Sequence, residues 1–139
     1  MDIKANFGTI RDGVHRFPAH VYYNHTDAGG IMYYANYLRV AEEARCAQFR
    51  LLGITGGPER GDFVVRSCRA EYIRSARLGD DLVVESKYVK VGRASADIVQ
   101  KFYNEGELIT QIEIKVVFVS LKGVPTPVPI PPEIREKLK

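Results

Sequence analysis

Tryptophan is missing from this chain of 139 residues, and cysteine occurs only as Cys46 and Cys68. Two cysteines are too few for a disulfide framework, and neither stands at metal-ligand spacing to the other or to His15, His20 and His25. No metal is expected. No apolar run approaches the roughly 18 residues of a membrane-spanning helix. The start, MDIKANFGTIRDGVHRF, lacks the apolar core of about 7 to 15 residues that marks a secretory signal, so the cytoplasm is the expected location. Neither a glycine pattern for nucleotide phosphates nor a G-x-S-x-G elbow occurs; phosphate-loop and serine-elbow chemistry are set aside, and no cofactor is implied. The net charge of +3 suits a phosphorylated small molecule about as well as nucleic acid. The aromatic and basic motif of an RNA-binding sheet is absent, which leaves nucleic acid outside the expected partners.

A chain of this length with 45% hydrophobic residues can bury one proper core and is too short for two. Residues 1–139 therefore read as a single domain, with a loose polar arm over 1–13 and a proline-rich tail over 124–139. The tail reads as an extended strap ending in one or two helical turns. Strand patterns fall at about His15 to Tyr23, Phe63 to Arg74, Leu82 to Val91, Ala94 to Tyr103 and Leu108 to Val119. Pro18 marks the first as an edge, a bulge or a late start. In the last, Leu108, Ile112, Ile114, Val116 and Phe118 alternate with polar residues, as in a half-buried antiparallel strand. The last four strands, joined by short turns, read as a meander.

One long helical pattern interrupts the strands. From about Ile31 or Met32 to Leu52, apolar residues recur at three- and four-residue spacing, and alanines at 41, 44 and 47 keep the middle thin. Gly53 is placed to end it. One helix cannot cover both faces of a five-stranded sheet, so it is expected to lie across the concave face. Edges left open then favour pairing between subunits. Just before the helix, the turn TDAGG holds one acid, Asp27. There the backbone N–H groups of the first turn have no partner within the helix and stabilise negative charge.

The order of strand, TDAGG turn, helix with Tyr37 and Arg45, and strands containing SARLGDDLVVE resembles the hotdog-fold acyl-CoA thioesterases. The segment VYYNHTDAGGIMYYANYL carries most of the likeness. The nearest branch is that of 4-hydroxybenzoyl-CoA thioesterase and the small thioesterase encoded beside the bacterial Tol-Pal system. The resemblance implies an α+β hotdog fold, with an antiparallel sheet wrapped around a central helix. It also implies a dimer or a homotetramer of such subunits, and hydrolysis of acyl-CoA at the subunit interface. Asp27 takes the place of the catalytic acid. Tyr34 stands where a helix-start N–H polarises the thioester carbonyl. Two positions depart from the branch: His25 replaces a common acid, and Tyr34 stands where the Tol-Pal group often has histidine.

Thioester cleavage needs an attacking group, donors for the oxyanion and a seat for the CoA phosphates. Asp27 serves as nucleophile or as general base; TDAGG by itself also reads as a turn or capping aspartate. His25 is either a partner of Asp27 or a turn residue. Gly29 and Gly30 allow close approach of substrate to backbone. Asn36 and Tyr37 either line the acyl pocket or belong to the core. Arg66, Arg74 and Arg77, with Arg69 and Arg93 behind them, are the candidates for the phosphates. A cysteine nucleophile is disfavoured, since neither cysteine has a histidine in a motif beside it. Acyl carrier protein is a further candidate partner, and a non-catalytic module that binds acyl-CoA or acyl carrier protein is the alternative function.

Overall fold

A computed structural model describes residues 2–139. Strands β1 (Thr9–Arg11) and β2 (Val14–His20) form a hairpin around Asp12 and Gly13, both at positive φ, as a two-residue primed turn requires. The arm is therefore not loose along its whole length. From Thr9 it is paired to β2, and the buried His15 reaches the Phe7 carbonyl through Nε2 at 2.7 Å. Met1 lies outside the described residues. Pro18 stands past the stretch that β1 covers, on the exposed edge of β2 where a missing N–H is tolerated.

Helix α1 (Tyr34–Leu52) starts later than its apolar pattern. Ile31 and Met32 are held extended instead, by bridges to Arg77 and Thr26. The helix ends at Gly53, whose N–H reaches the carbonyls of Arg50 and Phe49. Its inner face is Tyr37, Val40, Ala41, Ala44, Ala47 and Gln48. The alanines bring the helix close to the sheet, as the thin middle predicts.

Then follow β3 (Asp62–Tyr72), β4 (Asp81–Val91), β5 (Ser95–Asn104), β6 (Glu107–Ser120), β7 (Thr126–Pro127) and helix α2 (Pro132–Leu138). All pairing is antiparallel, in the order β1-β2-β4-β5-β6-β3, with β7 also on β6. This corrects the four-strand meander: β4, β5 and β6 are consecutive, but β3 pairs with β6. A hairpin of two to five residues would have kept β3 beside β4. Residues 73–80 are longer than that and cross the end of the sheet. Ile73 and Arg74 both donate to the Ile109 carbonyl, and Gly79 donates to that of Val21.

Phe102, Ile98, Ile112 and Val84 are fully buried beneath α1, and Tyr37 meets Phe102 edge-on at 5.4 Å. Each such side chain contributes about 1.5–3 kcal/mol on burial. A register shift opposite Phe102 and Tyr103 hands the last core place near the start of β6 to Ile109, 3% exposed, rather than to Leu108. One polar network crosses the core. Gln100 Nε2 donates to the Ala41 carbonyl and the Ser86 hydroxyl, and its Oε1 accepts from Arg45, each at 2.9 Å. In the tail, Ile130, Ile134 and Leu138 pack into the core. Outermost in the sheet, β3 leaves Val65 52% and Tyr72 41% exposed.

Candidate active site

The site loop is closed by its own backbone. Asp27 N–H donates to the Ile31 carbonyl at 3.0 Å, and Gly30 N–H donates back to the Asp27 carbonyl at 3.1 Å. A side chain that can reach the backbone two residues on favours such a turn, and here Gly29 N–H donates to Asp27 Oδ1 at 2.9 Å. The crossing segment holds the loop from outside: Met32 N–H reaches the Ala76 carbonyl at 2.9 Å, and Leu78 N–H reaches that of Gly30 at 2.9 Å. The Asp27 carboxylate is thus exposed, positioned by one donor, and open on its other oxygen.

Tyr34 is the first residue of α1, and no side chain caps that end. Among the described residues no carbonyl accepts the Tyr34 N–H, while the next turn is closed by Asn36 N–H to the Tyr33 carbonyl at 2.9 Å. The helix start also holds no acid of its own, so its partial positive charge is free to meet an anion or a developing oxyanion. The Tyr34 ring packs against Tyr33 at 4.9 Å and Tyr72 at 6.0 Å. The neighbouring Tyr34 phenol raises the pKa of the Tyr33 phenol.

The His25 ring makes its hydrogen bond within its own turn. Its Nδ1 accepts the Tyr22 N–H at 3.1 Å, its ring packs on Tyr22 at 5.9 Å, and its carbonyl takes the Tyr33 N–H and the Asn36 side-chain amide, each at 2.9 Å. The imidazole serves the 3-10 turn Tyr23–His25 that leads into the loop. Asn36 is likewise a staple between turn and helix. Of its two readings, Tyr37 takes the core one: it is 2% exposed, burial raises its phenol pKa, and its oxygen accepts the Ala76 N–H at 3.0 Å.

The arginines divide. Arg74 is paired with Glu107 at 2.7 Å. Arg77 is exposed, its backbone bridges Ile31 of the loop, and its guanidinium makes no ion pair among the described residues. Arg66 is exposed on β3 where the register shifts, and Arg69 and Arg93 are exposed away from the loop. Sequence reading named Arg74 and Arg77 in the segment 73–80 but passed over Tyr72 as part of the site. Its place depends on β3 lying beside β6; the alternation of Cys68, Ala70 and Tyr72 was its one local signal.

The pattern of the thioesterase-like superfamily matches residues 21–138. Over 123 residues the chain is 34% identical to the acyl-CoA thioesterase YbgC of Haemophilus influenzae, covering 86% of this chain and 90% of that protein. Over 119 residues it is 36% identical to the acyl-CoA thioester hydrolase YbgC of Escherichia coli O6:H1, covering 82% and 89%. The fold matches that of a 4-hydroxybenzoyl CoA thioesterase mutant complexed with 4-hydroxybenzoyl CoA with a TM-score of 0.84, over 91% of this chain and 99% of that one, at 20% identity. That last likeness is one of fold, and the fold is the hotdog.

Proposed function

This chain belongs to the thioesterase-like superfamily, and from that premise we propose that it hydrolyses acyl-CoA thioesters to a carboxylic acid and CoA at the Asp27 loop. The observation that carries the reading is the pairing of an exposed, backbone-positioned carboxylate with an unpartnered N–H at the start of α1, on one short loop. The Tyr34 N–H polarises the thioester carbonyl and takes up the charge of the tetrahedral oxyanion. Asp27 either removes a proton from the attacking water, or attacks the carbonyl itself and gives a mixed anhydride that water opens. In both routes the C–S bond breaks, water supplies one oxygen to the acid, and the thiolate leaves to be protonated as CoA.

Arg77 is the first choice for the CoA phosphates, with Arg66 and Arg74 behind it; Arg74 must first release Glu107. The open edge of β3 supports pairing with a second copy, giving a dimer or a homotetramer of two such dimers. Acyl carrier protein is a second carrier that the same loop would accept, because the thioester is the same.

The test is release of free thiol from a panel of acyl-CoAs by wild type, Asp27→Asn and Asp27→Ala. Both variants should keep the oligomer and lose at least a hundredfold in turnover. Undiminished release by purified variants would sink the role of Asp27, and binding of acyl-CoA without thiol release by wild type would make the protein a binding module instead.

A further inference from the structure

Helix α1 and strand β3 run side by side in opposite directions, pinned at both ends by aromatic contacts. Tyr34 meets Tyr72 at 6.0 Å beside the catalytic loop, and Phe49 meets Phe63 at 5.7 Å at the other end. Between these pins β3 turns Cys68 and Val65 toward the helix, opposite the buried Ile114 and Val116 of β6. Cys68 and Val65 are nevertheless exposed, so the space between helix and strand is a groove rather than packed core. At its far part the groove deepens into a pocket of about 390 Å³, lined chiefly by Arg45, Phe49, Phe63, Val65, Tyr88 and Val116.

A lone cation in such a place needs an explanation. Arg45 makes no ion pair with any acid among the described residues; one Nη1–H goes to Gln100 Oε1, and burial lowers its pKa from the usual guanidinium value. A guanidinium has five N–H donors, and most of them are left over. Glu42 and Asp62 also border the pocket, but Asp62 Oδ1 is taken by the Phe63 N–H at 2.8 Å. Tyr88 is almost wholly buried, which raises its phenol pKa and keeps it neutral. The pocket thus combines aromatic and aliphatic walls with the Glu42 and Asp62 carboxylates and one donor-rich group, Arg45, the group in it able to read an acceptor on an otherwise oily ligand.

We infer that this pocket receives the far end of the acyl group, and that Arg45 selects acyl chains that end in an oxygen acceptor over chains that end in methyl. The inference rests on the thioesterase reading above. Gln100 joins Arg45 to the level of the Ala41 carbonyl, seven residues after Tyr34, or about 10 Å along the helix axis. An extended chain of about eight carbons with a terminal oxygen spans that distance, since each bond of roughly 1.5 Å advances a zigzag chain by about 1.25 Å.

The experiment compares octanoyl-CoA, 8-hydroxyoctanoyl-CoA and the mono-CoA thioester of octanedioic acid, with butyryl-CoA as a substrate too short to reach Arg45. The expected result is kcat/KM at least fivefold higher for one of the two oxygenated substrates than for octanoyl-CoA. That ratio should fall to one or below in Arg45→Met and be partly kept in Arg45→Lys. The two oxygenated arms distinguish a carboxylate from a hydroxyl as the acceptor. A wild-type ratio near one overturns the inference, even where Arg45→Met fails to fold. So does a ratio unchanged in Arg45→Met, which is what a purely structural arginine would give while slowing all substrates alike. Failure to release thiol even from butyryl-CoA would instead sink the thioesterase reading. Calorimetric affinities of the same acyl-CoAs for wild type and Arg45→Met would then give the same ratio and decide the inference.

Discussion

The Tyr37 oxygen accepts the backbone N–H of Ala76 at 3.0 Å, with both residues buried. Ala76 in turn accepts the Met32 N–H, and Met32 bridges Thr26, the residue before Asp27. A core phenol thus fixes the segment that braces the Asp27 loop. Tyr37→Phe removes the acceptor and strands a buried donor, at a cost of about 1–3 kcal/mol. Urea denaturation should show that loss, with turnover falling several-fold and KM changing less.

His15 gives the fold a pH dependence. It is fully buried, its Nδ1 has no hydrogen-bond partner, and burial lowers its pKa below the usual 6.5. The unfolded chain therefore binds a proton at a pH where the folded chain does not. Stability is fully present above about pH 6.5 and is lost as pH falls through the lower folded pKa. Urea midpoints measured from pH 7.5 down to 5 should decline in wild type and decline less in His15→Phe. Equal slopes would remove His15 as the cause.

Gly61 precedes β3 at φ +94, and a Cβ there would sit 2.6 Å from the Val119 carbonyl oxygen. Neither the backbone angle nor the neighbouring strand can yield easily. Gly61→Ala should cost at least about 2 kcal/mol and loosen the β3 edge, seen as faster amide exchange at Phe63 and Val65.

Phe102 carries the contact between sheet and helix. Truncation to alanine leaves a cavity under Tyr37 and should cost about 3–5 kcal/mol. Thermal unfolding would register it as a drop well beyond that of any surface change. A loss below 1 kcal/mol would mean that the helix can settle into the space.

The helix, the strands and the Asp27 turn were legible because each is written within a few consecutive residues: the alanine spacing of α1, the alternation in β6, the two glycines after Asp27. Boundaries slipped where tertiary bridges overrode the local pattern, as at Ile31 and Met32, which are apolar at helical spacing yet held extended. The placement of β3 could not be read, because its alternation fits β4 or β6 equally and only the path of residues 73–80 decides. Tyr37 was assigned to the pocket or the core on spacing alone; its place in the core follows from the Phe102 ring and the Ala76 N–H, which come from distant strands. The pairing of His25 with Tyr22 is local, yet a histidine two residues from an acid gives no sign of which way its ring turns.

The late crossing also sets an order of assembly. Tyr72 pairs with Thr110 and Asp62 with Val119, so β3 leaves the ribosome well before its partner strand exists. Until β6 arrives, β3 is an unpaired apolar strand, and segment 73–80 has no Ile109 carbonyl to hold it across the sheet. The loop of Asp27, encoded in the first third of the chain, can reach its working shape only after most of the chain has been made.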